Sequence, residues 1–140
     1  AFRRVIFGVC TPSDISPFGE VMVKIMDKSI LREKSFSFAK EIVFTVKAIQ
    51  QTHGEFVLTK QLLRSGTSIG ANVYEAKYAQ SNDDFISKLE IALKECFETE
   101  YWLNLLYETN YLSINEYQSL TNTCGLIRRL LISSCKTAKQ

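Results

Sequence analysis

The sequence predicts an all-α protein, an antiparallel up-down-up-down four-helix bundle, on three observations. Apolar residues recur at three- and four-residue intervals through most of the chain after Met26, which is the helical period. Short turn-forming segments interrupt this period at three places, and no hairpin signal between alternating strands follows Met26. Helices of roughly 20 to 27 residues joined by such tight turns pack naturally as an up-down bundle.

The first two predicted helices run from about Ser29 to Gln51 and from Phe56 to Ala79. Between them, Gly54 lies in a turn from Thr52 to Glu55 and suits the left-handed conformation that ends many helices. The residues expected on the buried faces are Phe36, Ala39, Ile42, Val43, Val46 and Ile49 in the first helix and Leu58, Leu62, Ser65, Ile69, Val73 and Ala76 in the second.

The third predicted helix, from about Asp83 to Thr109, is the longest and the richest in apolar residues, and either Ser81 or Asn82 can cap it. Its apolar stripe is wider than one exposed bundle face needs, so we expect it to have more than one neighbour. Ser113 followed by Glu116 predicts a capping box at the start of the last helix. The apolar stripes comprise Phe85, Leu89, Ala92, Cys96, Thr99, Leu103 and Leu106, widened by Ile86, Leu93, Phe97, Tyr101 and Trp102, and then Tyr117, Leu120, Cys124, Ile127, Leu131 and Cys135.

Length and composition predict one globular domain, because 140 residues that are 46% hydrophobic and 23% charged match ordinary folded proteins. Residues 1–25 differ, since they contain both prolines and no sustained helical period. We interpret them as an N-terminal extension, non-native or upstream of a true start at Met22 or Met26, and residues 26–140 as the bundle domain. No apolar run reaches the ~20 residues of a membrane span and no secretory signal pattern is present, so we expect a cytoplasmic protein.

The segment LLRSGTSIGANVYEAKYAQ, residues 62–80, superficially resembles a phosphate-binding loop. A Walker loop has four residues between its glycines and then Lys and Ser or Thr, whereas here three residues separate Gly66 from Gly70, and Ala71 and Asn72 follow. Two glycines one helical turn apart instead leave a surface on which another helix can approach closely. We therefore predict a helix-packing or oligomer surface, in which Asn72 either fixes helix register by a buried hydrogen bond or faces solvent. Its residues are Ser65, Gly66, Ile69, Gly70 and Asn72.

No catalytic, cofactor or metal site is predicted. His53 is the single histidine and is expected in an exposed turn, without a recognised catalytic partner. The four cysteines match no zinc spacing and are interpreted as buried or incidental thiols. Glu95, Glu98 and Glu100 lack the Glu-x-x-His motif of di-metal bundles, so we expect a solvated face or partners for arginines of a neighbouring protomer.

The stretch FVLTKQLLRSGTSIGANVYEAKYAQSNDDFISKLEIALKECFETEYWLNLLYETNYLS resembles the four-helix bundle proteins encoded in intervening sequences of bacterial 23S ribosomal RNA genes, the S23-like family. Its most specific parts are LLRSGTSIGAN, DFISKLEIALKE and ETEYWL, and the likeness extends from Ser35 to Lys139. The resemblance implies a small helical protomer that assembles into a ring, typically a homopentamer, with no established enzymatic activity. That family is similar in fold to the accessory protein of diversity-generating retroelements, which works beside a reverse transcriptase and binds nucleic acid through a basic surface.

The first function hypothesis is a non-enzymatic homo-oligomer that serves as an RNA or ribonucleoprotein accessory, with itself, RNA or a nucleic-acid enzyme as partner. Lysine and arginine side chains would neutralise phosphates without reading sequence. However, the formal net charge is only +2, the third helix is acidic and the last basic, so the same cations are alternatively solubilising charge or ion-pair partners of the third helix. The candidate residues are Lys60, Arg64, Arg128, Arg129, Lys136 and Lys139.

The second hypothesis is a protein-interaction scaffold without nucleic-acid binding. Tyr101, Trp102, Tyr107 and Tyr111 follow one another near the end of the third helix. Aromatic residues of this kind are enriched in interface hot spots, and Tyr101 and Trp102 are the candidates for an oligomer contact. The alternative is that they fill the core of one protomer.

Overall fold

The computed structural model describes residues 30–140; the predictions for residues 1–25 and for Ser29 lie outside this range. Within it the chain forms four α-helices and no strand, which confirms the all-α prediction for this part of the protein. The predicted bounds differ from the observed ones by three residues at most. The helices are α1 (Ile30–His53), α2 (Leu58–Ala76), α3 (Asn82–Glu108) and α4 (Ile114–Ala138).

Three of the helix ends have the predicted local chemistry. Gly54 has a φ of +65°, and its N–H donates to the carbonyl of Gln50 at 3.0 Å, which closes the last turn of α1. The capping box at the start of α4 is complete, since Ser113 Oγ accepts from the N–H of Glu116 and Glu116 Oε1 accepts from the N–H of Ser113, both at 3.1 Å. Ser81 caps α3 by accepting from the N–H of Asp84 at 3.1 Å.

The start of α2 depends on Glu55, which the sequence analysis did not identify as a cap. Its two carboxylate oxygens accept the backbone N–H groups of Val57, Leu58 and Thr59 at 2.9–3.1 Å. Burial by itself would raise the pKa of Glu55, but these N–H donors together lower it below its ordinary value. The carboxylate therefore satisfies the backbone donors that the first helical turn leaves without partners.

Each helix packs against its neighbours in the chain, and α1 also packs against α4. Between α1 and α2, Gln50 Nε2 donates to Thr59 Oγ1 at 3.2 Å near one end, while Ser35 lies beside Gly70 near the other. Between α3 and α4, Tyr117 donates to Asn104 Oδ1 at 3.0 Å. One continuous apolar core runs between the four helices.

The predicted buried face of α1 was wrong at its N-terminal end. Ile42, Val46 and Ile49 are buried as expected, but Phe36 is 65% exposed and Phe38 is completely buried in its place. Apolar residues at three- and four-residue spacing occur on both the exposed and the buried side of this helix. The predicted stripe began with Phe36, on the exposed side. In α3, Phe97 and Tyr101 are likewise exposed, at 53% and 60%, rather than part of a widened buried stripe.

Candidate nucleic-acid and assembly surfaces

The two glycines of α2 lie against α1 of the same chain. A β-carbon at Gly66 would come within 2.9 Å of Ile42 Cγ1, and one at Gly70 within 3.3 Å of the carbonyl oxygen of Ser35. Any side chain at position 66 would therefore displace Ile42, and the backbone of α1 passes directly over Gly70. The glycines therefore lie where α1 leaves no room for a larger side chain on α2, and within the described residues their neighbour is α1.

The rest of this small-residue segment faces other neighbours. The hydroxyls of Ser65 and Thr99 are both buried and hydrogen-bonded to each other at 3.0 Å, which links α2 to α3. Ile69 is fully buried in the core. Asn72 is half-buried and donates to the carbonyl oxygen and the hydroxyl of Ser68, at 2.9 and 3.2 Å, so its bonds stay within α2. This arrangement differs from both predicted alternatives. The hydrogen bonds of Asn72 stay within one helix, so they do not fix the register of two helices, and the side chain is only partly exposed to solvent.

Three of the six candidate cations are paired with acids of α3. Arg128 Nε donates to Glu100 Oε1 at 2.7 Å, and Lys139 Nζ donates to Glu90 Oε1 at 2.5 Å. The hydrogen bond and charge of Glu100 raise the pKa of Arg128, whose charge is accordingly fixed. The acidic third helix and basic fourth helix thus pack side by side and neutralise one another at these points.

Arg64 of α2 pairs with two more acids of α3, Glu95 at 3.4 Å and Glu98. Together with the Arg128 pair, this provides a partner for each of the three glutamates that the sequence analysis singled out. The arginines belong to the same chain, not to a neighbouring protomer. The acidic cluster therefore serves contacts between helices.

The other three candidates, Lys60, Arg129 and Lys136, are exposed and form no ion pair with an acid among residues 30–140. Arg129 and Lys136 are seven residues apart and share the outer face of α4. Gly125 lies beneath both adjacent arginines, whose guanidinium nitrogens come within 3.6 Å of where its β-carbon would be. The middle of α4 therefore has two guanidinium groups close to the helix backbone, of which Arg129 has no acidic partner among residues 30–140 and can be approached by a phosphate.

The aromatic residues near the end of α3 do not form one patch. Trp102 is half-buried, donates to Glu98 Oε2 at 3.0 Å and meets Tyr101 edge-on, with ring centroids 5.0 Å apart. Tyr107 stacks on Tyr117 at 4.3 Å. Tyr101 is the exposed member of the predicted group.

Tyr111 instead contacts His53 edge-on at 5.2 Å. His53 is the last residue of α1 rather than part of the following turn, which corrects its predicted position. Its ring packs against a phenol, and no acid or thiol accompanies it among its described contacts.

Two further exposed aromatic residues lie on α1: Phe36, which was predicted to be buried, and Phe44, which was not singled out from the sequence. Phe36 is 65% and Phe44 is 67% exposed, and Lys40 lies between them, with its Nζ 5.3 Å from the centre of the Phe36 ring. We call Phe36, Lys40, Phe44 and Lys47 the α1 outer face, and Phe97, Tyr101, Asn104 and Glu108 the α3 outer face. The available signal was that positions 36, 40, 44 and 47 share one row, opposite the row of Phe38, Ile42 and Val46.

The cysteines within the described range are buried free thiols, as predicted. Cys124 Sγ donates to the carbonyl oxygen of Cys96 at 3.6 Å. The pKa of Cys96 is raised mainly by its hydrogen bond with Cys124 and secondly by burial. Burial also raises the pKa of Cys135. Protonated, enclosed thiols are poor nucleophiles and poor metal ligands.

Residues 30–140 contain no group of three or more His, Cys, Asp or Glu side chains placed to hold a metal ion. In the same part of the chain, no helix combines the length and apolar character required to cross a membrane.

Comparison with known proteins places these features in a family context. Residues 27–133 match the family described as 23S rRNA-intervening sequence protein. A similar solved structure is a protein of unknown function from the S23 ribosomal protein family of Bacteroides thetaiotaomicron. It is 52% identical, has a TM-score of 0.76, and the match covers 76% of this chain and 99% of that one. Among curated proteins no match is found.

Proposed function

We propose a function on the premise that this chain belongs to the 23S rRNA-intervening sequence protein family, to which most of its length matches. The proposed function is that of a non-enzymatic, homo-oligomeric helical bundle that assists RNA or a ribonucleoprotein in the cytoplasm. The observation that carries the RNA part is that three of the six candidate cations, Lys60, Arg129 and Lys136, are exposed and have no acidic partner among residues 30–140. Such side chains can exchange counterions for RNA phosphates without first breaking an ion pair.

The protomer that we propose is an up-down-up-down bundle. In support, contacts pair late residues of one helix with early residues of the next, as Gln50 with Thr59 and Asn104 with Tyr117 do. Farther from the turns, Ile42 meets Gly66 and Glu90 meets Lys139. This order of contacts is expected for antiparallel neighbours joined by short connections. The homopentameric ring remains a proposal that rests on the family resemblance.

Arg128 and Arg129 differ in what RNA binding would require of them. Arg128 is held by Glu100 at 2.7 Å and is only partly exposed, so a phosphate would compete with an existing carboxylate. Arg129 has no such competitor within the described chain and shares its face with Lys136. We therefore expect Arg129 and Lys136 to contribute more to RNA affinity than the paired Arg64, Arg128 and Lys139.

The test is the binding of labelled single-stranded RNA across a series of salt concentrations. The double variant Arg129→Gln/Lys136→Gln should bind more weakly than wild type and flatten the plot of log affinity against log salt by about 0.7 for each lost phosphate contact. The matched control is Lys88→Gln/Lys139→Gln, which removes the same formal charge from side chains paired with Glu75 and Glu90. No affinity of the wild type even at low salt, or an equal loss in both variants, would contradict the proposed RNA surface.

The second candidate function is a protein-interaction scaffold without nucleic-acid binding. It is favoured by the exposed aromatic side chains of α1 and α3, since such residues dominate the energetics of protein interfaces. Tagged protein should then retain a specific partner in a pull-down after nuclease treatment. Loss of all co-purifying protein with nuclease would favour the RNA accessory.

A further inference from the structure

The outermost rows of the four helices fall into two kinds. Directly opposite its buried face, α2 carries Lys60, Arg64, Thr67, Ala71 and Glu75, and α4 carries Asn115, Gln118, Asn122, Arg129, Ser133 and Lys136. These rows are polar apart from Ala71, as expected for helices that face water. The corresponding rows of α1 and α3 each include two aromatic side chains, Phe36 with Phe44 and Phe97 with Tyr101, that are all more than half exposed.

None of these four aromatic rings belongs to the apolar core of the chain, although Tyr101 meets Trp102 edge-on and the Arg128 guanidinium lies 5.7 Å from the centre of the Phe97 ring. The core is closed by Phe38, Ile42 and Val46 on the opposite side of α1, and by Leu89, Cys96 and Leu103 on the opposite side of α3. Single exposed apolar residues are common on proteins, but two large aromatic side chains on the outermost row of one helix leave a considerable apolar area in water. Such a surface is stabilised when another molecule covers it.

The two outer faces have opposite charge. Lys40 and Lys47 lie among the phenylalanines of α1, with Glu33 the acidic residue in that row. The row of α3 contains Lys94 and three acidic residues, Asp83, Glu90 and Glu108, of which Glu90 is paired with Lys139. A positive aromatic face and a negative aromatic face attract one another, whereas two copies of the same face would bring like charges together.

Both faces also combine a ridge with a groove. Phe44, with Glu41 and Thr45, borders a groove of about 430 Å³ between α1 and α4. Phe97 and Tyr101 border one of about 470 Å³ between α3 and α4, with Tyr117 on its far side. An aromatic ridge from one copy can enter the groove beside the ridge of another, as side chains do when helices pack.

We propose that the α1 outer face of one copy of this chain binds the α3 outer face of the next copy, head to tail. α1 and α3 each pack against both α2 and α4, so they occupy opposite corners of the bundle. A contact between two different surfaces repeats from copy to copy and generates a ring when the rotation closes. This inference rests on the proposed homo-oligomer and names the surfaces that would form it. Lys60 on α2 and Arg129 and Lys136 on α4 line neither groove and stay free for RNA.

The experiment mixes two variants, each with one face disabled. Phe36→Glu/Phe44→Glu disables α1 and Phe97→Glu/Tyr101→Glu disables α3; all four side chains are exposed, so both variants should fold, which circular dichroism checks. Each variant alone should have the mass of one 16.0 kDa chain by light scattering and native mass spectrometry. A mixture should form a species with one copy of each, because one intact α1 face and one intact α3 face remain. The control Ala71→Glu/Ser133→Glu adds the same two charges on the polar rows, away from both grooves, and should keep the wild-type mass.

The outcomes separate this inference from the proposed function. If wild type is a multimer and either aromatic variant keeps the wild-type mass, the head-to-tail contact is wrong while the homo-oligomer stands. If both variants are single chains and the mixture stays so at the highest wild-type concentration used, the α1 and α3 outer faces do not bind each other, which also overturns the inference. A dimer formed by either variant alone would show that its intact face pairs with its own kind, and would overturn it as well. A wild type that is itself a single chain overturns the homo-oligomer and this contact together, and leaves the two face pairs as surfaces for a different protein.

Discussion

Large apolar side chains are usually buried and small ones are tolerated at the surface, but the inner surface of α2 and the outer surface of α1 show the opposite. Inside, where α2 meets α1, the side chains are among the smallest available, with Gly66 and Gly70 against Ile42 and the backbone of Ser35. Outside, on the far side of α1, Phe36 and Phe44 extend into solvent. Small residues at the first surface set the distance between two helices of one chain. Large residues at the second lie outside the core of that chain, and we propose that another molecule covers them.

The largest expected effect comes from two phenylalanines two positions apart. Phe38→Ala should lower the free energy of unfolding by about 3–5 kcal/mol, because it empties a fully enclosed position. Phe36→Ala should change it by no more than about 0.5 kcal/mol. Both are measured by denaturant unfolding in the background of Phe97→Glu/Tyr101→Glu, so that assembly does not contribute to stability. Similar losses for both variants would mean that Phe36 supports the fold, and would remove the contrast between the two surfaces.

A smaller effect, with opposite signs, is expected when two helical glycines are replaced by alanine. A β-carbon at Gly66 would come within 2.9 Å of Ile42, so overpacking of about 1–3 kcal/mol should outweigh the gain in helix propensity of about 1 kcal/mol. At Gly125 the nearest atoms are flexible arginine ends at 3.5 Å or more, so Gly125→Ala should stabilise by about 0.5–1 kcal/mol. Thermal and denaturant unfolding give both signs. A stabilising Gly66→Ala would show that Ile42 can move aside and that α1 and α2 leave room for a β-carbon at position 66.

The smallest effect concerns Glu55, which caps the start of α2 in the connection between α1 and α2. Glu55→Gln should lower the free energy of unfolding by about 0.5 kcal/mol near neutral pH, because a neutral amide is a weaker cap for the start of α2. The pKa of Glu55 is lowered in the fold, so its stabilisation is present above the ordinary pKa and disappears as pH falls through the lowered value. Unfolding curves of wild type and variant should therefore converge in acid. Glu41→Gln, at an exposed position in the middle of α1, is the control and should show no such convergence.

The sequence was sufficient to predict the helices because their ends are chemically marked. Gly54, Ser113 and Glu116 perform locally the roles that their residue types indicate. Periodicity located α1 but chose the wrong row at Phe36, since an aromatic residue at helical spacing fits a buried row and an exposed row equally well. Glu55 was missed because its side chain accepts from three N–H groups two to four residues further along the chain, whereas its predicted position was inside a turn.

The candidate surfaces were only partly predictable for a similar reason. Charge counting indicated that α3 and α4 would neutralise one another, and Arg128 with Glu100 and Lys139 with Glu90 do so. Which cations remain without partners depends on rotation of each helix about its axis, which composition does not fix. Arg128 and Arg129 are neighbours in sequence, yet one binds an acid and the other faces solvent.

The closeness of Gly66 to Ile42 has a consequence for how this family can diverge. A mutation that adds bulk at position 66 would be tolerated where position 42 had already become smaller, and a larger residue at 42 would require glycine at 66. The two positions lie on different helices and are far apart in the chain. Across descendants of this sequence they should nevertheless change as a pair, leaving a covariation signal that records the contact.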